Sequence, residues 1–215
     1  LPIAEEVKGI SDYIASQGTY ARHGNTDVAY FKLGEDMYAS MLKDMERAQS
    51  FIFFEYFIVG QGQMWDGMKE ILIRKAQEGL DVRVMYDDLG SLMVLPKGFK
   101  AELESQGVKV VTFNPMVPYL ALGMNNRDHR KILVIDGDVA YNGGINIADK
   151  YINVDSKLGH WKDTGLRLEG DGVANLTLMF LSVWDACRKE QTDIAAYLPR
   201  KSVRAKGYVQ PFSDS

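Results

Sequence analysis

Strands and helices alternate through the middle of the chain, and this order limits the folds that the chain can adopt. Residues 50–59 are dense in aromatic and β-branched side chains, which is typical of a buried strand. Further strands are predicted at 81–86 and 108–113, with amphipathic helices between them at 64–78 and 97–106. Because strand–helix–strand repeats form parallel sheets, we expect an α/β domain whose mixed, largely parallel sheet is flanked by helices.

Length and composition suit one such domain. A chain of 215 residues with 46% apolar content can bury a substantial core. The net charge of −4 argues against a nucleic-acid partner, since surfaces that bind nucleic acid are normally basic. The single cysteine, Cys187, excludes an internal disulfide. No apolar run reaches the roughly 18 residues needed to span a bilayer, so this chain is expected to be soluble.

Residues 126–146 carry most of the chemical information. Within them, His129, Lys131 and Asp136 follow the spacing His-x-Lys-x4-Asp, and the run Gly143-Gly144-Ile145-Asn146 follows shortly after. Residues 131–135 form a short apolar run that ends at turn-forming residues, which predicts a strand entering a hairpin. The alternation of strand side chains places His129 and Lys131 on one face. Asp136 has the opposite parity, so a structural role remains open for it.

This combination of side chains suits a bound phosphate. The Lys131 ammonium would neutralise negative charge, and a neutral His129 imidazole can attack phosphorus. Gly144 allows close approach of the backbone, and Asn146 adds an amide donor. Residues 145–151 are predicted to form a short helix whose first N–H groups would favour an anion.

The two other histidines provide an internal comparison. His160 and Lys162 also have the spacing His-x-Lys, but Arg167 stands where the acidic residue would be required. His23 has Asn25 at the lysine position. The full pattern therefore singles out His129.

At these residues the chain resembles the phospholipase D superfamily, whose signature is His-x-Lys-x4-Asp followed by Gly-(Gly/Ser)-x-Asn. More narrowly, residues 126–137, 143–151 and 159–164 resemble bacterial cardiolipin synthases, and the likeness extends from about residue 30 to 197. That family carries two such motifs and N-terminal membrane helices. The resemblance implies that 1–29 form an N-terminal helix and linker, 30–198 a first catalytic half with the phospholipase D-like fold, and 199–215 a linker toward a second half.

The resemblance also implies an activity and roles for single residues. It implies a phosphatidyltransferase that makes cardiolipin from two phosphatidylglycerols through a phosphatidyl-histidine and releases glycerol. His129, Lys131 and Asp136 would be catalytic, Lys131, Gly144 and Asn146 would bind phosphate, and Asp163 would orient the histidine. No metal and no cofactor are expected.

The resemblance extends to partners and location. The expected partners are phosphatidylglycerol, an anionic membrane surface, and either a second half or a second copy of this chain. The full-length protein would lie at the bacterial cytoplasmic membrane, held there by helices outside this chain.

Several alternatives remain open from the sequence. Glu55 either lines the phosphate pocket or pairs with an arginine or the backbone, because a buried carboxylate needs a partner. Residues 114–125 are either a loop on the core or an apolar lip for acyl chains. Asp87 and Asp88 are interpreted as a surface turn. The rival functions are a hydrolytic phospholipase D or nuclease and, in another class, a non-catalytic lipid-binding module.

Overall fold

A seven-stranded sheet forms the centre of the molecule. The computed structural model describes residues 3–18, 20–115, 127–155, 157 and 159–213. The order of strands across the sheet is β1-β7-β6-β5-β2-β3-β4. In chain order the strands are β1 Thr26–Phe31, β2 Phe51–Tyr56, β3 Asp81–Asp87, β4 Lys109–Phe113, β5 Lys131–Ile135, β6 Val139–Gly143 and β7 Gly165–Gly170.

The pairing of the strands confirms a mixed sheet and corrects its proportions. Among the described strands, the pairs β2–β3 and β3–β4 are parallel, whereas the four pairs β1–β7, β7–β6, β6–β5 and β5–β2 are antiparallel. The prediction of a largely parallel sheet was therefore wrong in that detail. The physical reason is the length of the connections: helices link β2, β3 and β4, while a tight turn joins β5 to β6 and reverses the chain.

Helices cover both faces of the sheet. The helices are α1 Glu5–Ser16, α2 Gly34–Glu46, α3 Gln63–Gln77, α4 Asp88–Ser91, α5 Phe99–Ser105 and α6 Val173–Arg188. Helices α2, α3 and α5 share one apolar cluster with the sheet, and α6 fills the cluster on the other face. Alternation along each strand divides its side chains between these two cores. The prediction of a sheet flanked by helices is confirmed.

One edge of the sheet collects the segments that matter for function. Because β5 runs antiparallel to β2, with Lys131 opposite Tyr56, the start of β5 lies beside the end of β2. The end of β3, the end of β6 and the start of β7 meet at the same edge. We call this the upper edge; Ile135 and the hairpin turn lie at the lower edge.

The two ends of the described chain pack together. The backbone of His23 exchanges hydrogen bonds with that of Val209, and Gln210 donates to the carbonyl oxygens of Ser11 and Tyr20. Strand β1 begins at Thr26, within the stretch expected to be a linker. Among the described helices, none is both long and apolar enough to cross a bilayer.

Candidate active site

His129 and Lys131 lie together at the upper edge. Both side chains approach Phe57, which follows β2: the His129 and Phe57 ring centroids are 4.9 Å apart, and the Lys131 ammonium lies 5.5 Å from the Phe57 centroid. Lys131 is buried, and its ammonium also donates a hydrogen bond to the backbone carbonyl of His129. His129 is exposed. The site therefore presents an accessible imidazole above a buried cation.

The surroundings lower the pKa of both groups, and for His129 this is the direction that attack on phosphorus needs. Partial burial and the nearby Lys131 charge lower the pKa of His129, so the imidazole is neutral at pH 7 and can act as a nucleophile. Burial lowers the pKa of Lys131 to about 8, although Asp128 and Asp163 act in the opposite direction. Lys131 is still mostly charged at pH 7, and a bound phosphate would favour the charged form further.

Gly144 and Asp163 meet at the same edge. A side chain at Gly144 would overlap the Asp163 carboxylate, so the glycine is needed for this close approach. The Gly144 N–H donates to the Thr164 carbonyl over 3.1 Å, and the Thr164 N–H donates to Asp163 Oδ1 over 2.8 Å. Within the described residues no hydrogen bond joins Asp163 to the His129 ring. The orienting role of Asp163 therefore stays a prediction.

Asn146 is buried and holds the segment after β2. Its Oδ1 accepts from the Ile58 N–H over 3.0 Å, and its Nδ2 donates to the Tyr151 hydroxyl over 3.0 Å. The predicted helix at 145–151 is wrong: a single 3₁₀ turn begins at Asp149, whose carboxylate accepts from the N–H groups of Gln63 and Met64. Residues 145–148 instead run beside Ile58 and Gly60, where Val59 and Ile147 form a parallel bridge.

Asp136 lies at the lower edge, at the opposite end of β5 from His129. Its carboxylate accepts from the N–H groups of Gln49, Ser50 and Phe51 over 2.7–3.0 Å. These bonds hold the start of β2 against the hairpin, where Asp136 itself has a left-handed backbone with φ of 55°. The structure therefore does not bring Asp136 to the other candidates. This geometry supports a structural role for Asp136, which its position in the strand alternation had left open, in place of a direct catalytic role.

Glu55 faces away from Lys131. Alternation along β2 places it on the α6 face, where its Oε1 lies 2.9 Å from Arg130 Nη2. Arg130 also bonds the buried Asp128 carboxylate over 2.9 Å. Burial, and then the negative Asp128, raise the pKa of Glu55 well above its usual range. Of the two alternatives for Glu55, the arginine partner is the one that the structure displays.

Asp87 was interpreted as a surface residue, but it is buried and braces the segment that carries His129. Its Oδ2 accepts from the Asp128 N–H over 3.1 Å, and its Oδ1 lies 3.4 Å from Arg127 Nη1. The same Oδ1 accepts from the Gly90 N–H over 3.1 Å and so caps α4. The available signal was an aspartate at the end of a predicted buried strand, since aspartate is among the residues preferred at a helix N-cap.

The predicted apolar lip at 114–125 falls almost wholly outside the described residues. Only Asn114 and Pro115 of that stretch are described, so the choice between a lip and a core loop stays a prediction.

Comparison with known proteins assigns the fold and the family. Residues 41–159, more than half of the chain, match the family described as "Cardiolipin synthase, PLD-like domain". An uncharacterised protein of Streptococcus mutans is 45% identical over 208 residues, which are 96% of this chain and 45% of that protein. A cardiolipin synthase of Alkalihalophilus pseudofirmus is 43% identical over 152 residues, 70% of this chain and 30% of that protein.

A solved structure shares the fold at low sequence identity. Nuc, a phospholipase D family member from Salmonella typhimurium, has a TM-score of 0.52 at 14% identity, over 79% of this chain and 96% of that chain. This likeness concerns the fold alone. The chain spans less than half the length of both curated relatives above.

Proposed function

The chain belongs to the family of phospholipase D-like domains of cardiolipin synthases, and from this premise we propose that it is one catalytic half of a phosphatidyltransferase that joins two phosphatidylglycerols into cardiolipin. The observation that carries the proposal is the pairing of an exposed His129, whose pKa is lowered, with the buried Lys131 at the upper edge. Gly144 and Asp163 stand at the same edge. A neutral imidazole beside a cation matches the needs of attack on a phosphodiester.

The first step is displacement of glycerol. A histidine, either His129 or its counterpart in a second motif, forms a bond to the phosphorus of phosphatidylglycerol. The bond from phosphorus to the glycerol oxygen breaks, and the other histidine supplies the proton that the leaving glycerol needs. Lys131 stabilises the charge that develops on the phosphoryl oxygens. The product of this step is a phosphatidyl-histidine.

The second step transfers the phosphatidyl group. The histidine that gave its proton takes one from a hydroxyl of a second phosphatidylglycerol, and that oxygen attacks phosphorus. The bond between nitrogen and phosphorus breaks, cardiolipin forms, and both histidines return to their starting protonation states. Water in place of the second lipid would give phosphatidic acid, which is the reaction of the hydrolytic alternative.

The test compares lipid products of three proteins. Phosphatidylglycerol vesicles are incubated with the wild-type chain, with His129→Ala and with His160→Ala, and the lipids are measured by mass spectrometry. His160 is the matched control because it also has a lysine two residues later and is exposed. Because the proposed reaction uses two histidines, we expect the chain alone to form little cardiolipin unless it dimerises. Whatever cardiolipin the wild type forms should be matched by His160→Ala and fall to background in His129→Ala.

The other products decide between functions. Phosphatidic acid without cardiolipin would replace the transferase with a hydrolase, and DNA cleavage without divalent metal would point to a nuclease. If the chain alone forms neither lipid, the same three variants are compared in a protein that carries both halves. Unchanged cardiolipin from His129→Ala in that protein would contradict the proposal and favour a non-catalytic lipid-binding role.

A further inference from the structure

The turn that follows β3 displays apolar side chains to solvent. In residues 89–94, which we call the α4 turn, Met93 is 90% exposed, Leu92 49%, and Leu89 and Val94 41% each. Single exposed apolar side chains are common, but four within six residues form a patch of the kind that marks an interaction surface.

The polar side chain within this turn, that of Ser91, is buried, as is that of Asp87 just before it, which inverts the usual pattern. Asp87 caps the turn through the Gly90 N–H, and the Ser91 hydroxyl accepts from the Val59 N–H over 3.1 Å and donates to the Phe57 carbonyl over 3.3 Å. Any side chain at Gly90 would overlap that same carbonyl. The backbone of the turn is thus bound closely to the segment after β2, and its apolar side chains point outward from a braced support.

The patch and the candidate site share one edge of the sheet. Asp87 connects them directly, because its carboxylate bonds both the Gly90 N–H and the Asp128 N–H, next to His129. The Phe57 ring contacts the His129 ring, and the Phe57 carbonyl oxygen accepts a hydrogen bond from the Ser91 hydroxyl. A molecular surface that contacts the α4 turn would therefore lie close to His129.

We propose that the α4 turn inserts its apolar side chains into the surface of an anionic phospholipid bilayer, so that the upper edge faces the lipid headgroups. This inference rests on the proposed function, because a phosphatidylglycerol in a bilayer can reach His129 only if the upper edge approaches the membrane. Exposed apolar side chains in a short turn can enter the interfacial region while the backbone keeps its bonds.

Charge makes a smaller contribution than apolar insertion. The exposed Lys97 and Lys100 follow the turn, and lysines beside an apolar patch favour anionic headgroups. Lys100 lies 3.8 Å from Glu104, and Asp88 directly precedes the turn. Since these acids offset part of the positive charge, we expect binding to depend on both the apolar side chains and anionic lipid, with the apolar side chains dominant.

The experiment measures binding to vesicles by sedimentation. The wild-type chain is compared with the double variant Leu92→Ser/Met93→Ser and with a matched control, Ile10→Ser/Tyr13→Ser, which removes two exposed apolar side chains from α1. On phosphatidylglycerol vesicles we expect the α4 variant to lose about tenfold or more in partition coefficient, as expected when two inserted side chains are removed. The control is expected to bind like the wild type, and all three to bind phosphatidylcholine more weakly.

Further readouts separate this inference from the proposed function. His129→Ala should bind vesicles like the wild type, so binding is scored even if no transfer activity is found. In a Cys187→Ser background, Met93→Cys carrying an environment-sensitive fluorophore should shift to the blue on phosphatidylglycerol vesicles. Equal binding by the α4 variant, or loss only in the α1 control, would overturn the inference. A change from dimer to monomer in the α4 variant without loss of vesicle binding would also overturn it and identify a protein interface.

Discussion

His129 is partly buried among charges of both signs, and burial and these charges together determine whether its imidazole is free to attack. Partial burial lowers the pKa of His129 most, the Lys131 charge lowers it further, and Asp128 and Asp87 raise it. Asp87 also holds the adjoining backbone through the Asp128 N–H. The reactivity of one residue thus depends on neighbours from β3 and β5 that are far apart in the chain.

Two substitutions should move the pKa of His129 in opposite directions. Lys131→Met removes a nearby positive charge and keeps most of the side-chain volume, so the pKa of His129 should rise. Asp87→Asn removes a negative charge, so the pKa should fall. The chain has three histidines, which makes an NMR titration of the imidazole protons readable, with His23 and His160 as internal references. Shifts in the same direction for both variants would contradict this account.

At the scale of elements, side chains hold the hairpin of β5 and β6 together at the upper edge and fasten it to β2 at the lower edge. At the upper edge the Asn142 side chain donates to the Lys131 carbonyl, and at the lower edge Asp136 accepts three N–H groups from residues 49–51. These lower bonds set where β2 begins, and thereby the register that places Tyr56 opposite Lys131. Asp136 contributes to the site by fixing a strand.

Asp136→Ala should destabilise the fold by about 2 to 3 kcal/mol, because it leaves N–H groups at the start of β2 without their charged acceptor. Asp136→Asn should cost less, since asparagine tolerates the left-handed backbone and keeps one acceptor oxygen. Urea denaturation measures both effects. The NMR signal of His129 should stay unchanged in each variant, and a shifted His129 pKa would instead return Asp136 to the site.

At the scale of the whole molecule, one motif supplies one histidine, whereas the proposed two-step reaction uses two. The chain spans less than half the length of both curated relatives reported above, so a second half is one source of the other histidine. A second copy of the chain is the other source, because a two-fold axis can bring two identical motifs to one site.

Mixing experiments distinguish these sources. If a homodimer forms the site, activity per chain should rise with the dimer fraction measured by sedimentation velocity. An equal mixture of wild type and His129→Ala should then have about one quarter of the activity of wild type at the same total protein concentration. The reason is that only dimers of two wild-type chains carry both histidines. Activity that appears only after a second half is added would favour that half. Full transfer activity in a strictly monomeric sample would contradict the need for two histidines.

The local properties of this protein could be predicted from the sequence because they depend on neighbouring residues. Helical spacing located α3 and α5, aromatic and β-branched runs located strands β2 to β5, and the two-residue period placed His129 and Lys131 on one side. The motif identified the family. The N-terminal strand β1 and the antiparallel majority of the sheet were missed, since strand order depends on contacts between segments distant in the chain.

Tertiary structure alone decided which candidates meet. Asp163 and Gly144 are brought to the upper edge by the pairing of β6 with β7, and Asp136 is taken to the lower edge by the length of β5. Glu55 forms an ion pair with Arg130, and the buried Asp87 accepts a hydrogen bond from the N–H of Asp128, next to His129. The sequence alone does not distinguish a carboxylate that binds substrate from one that caps a strand or holds a loop in place. Its role depends on which N–H groups and cations the fold places around it.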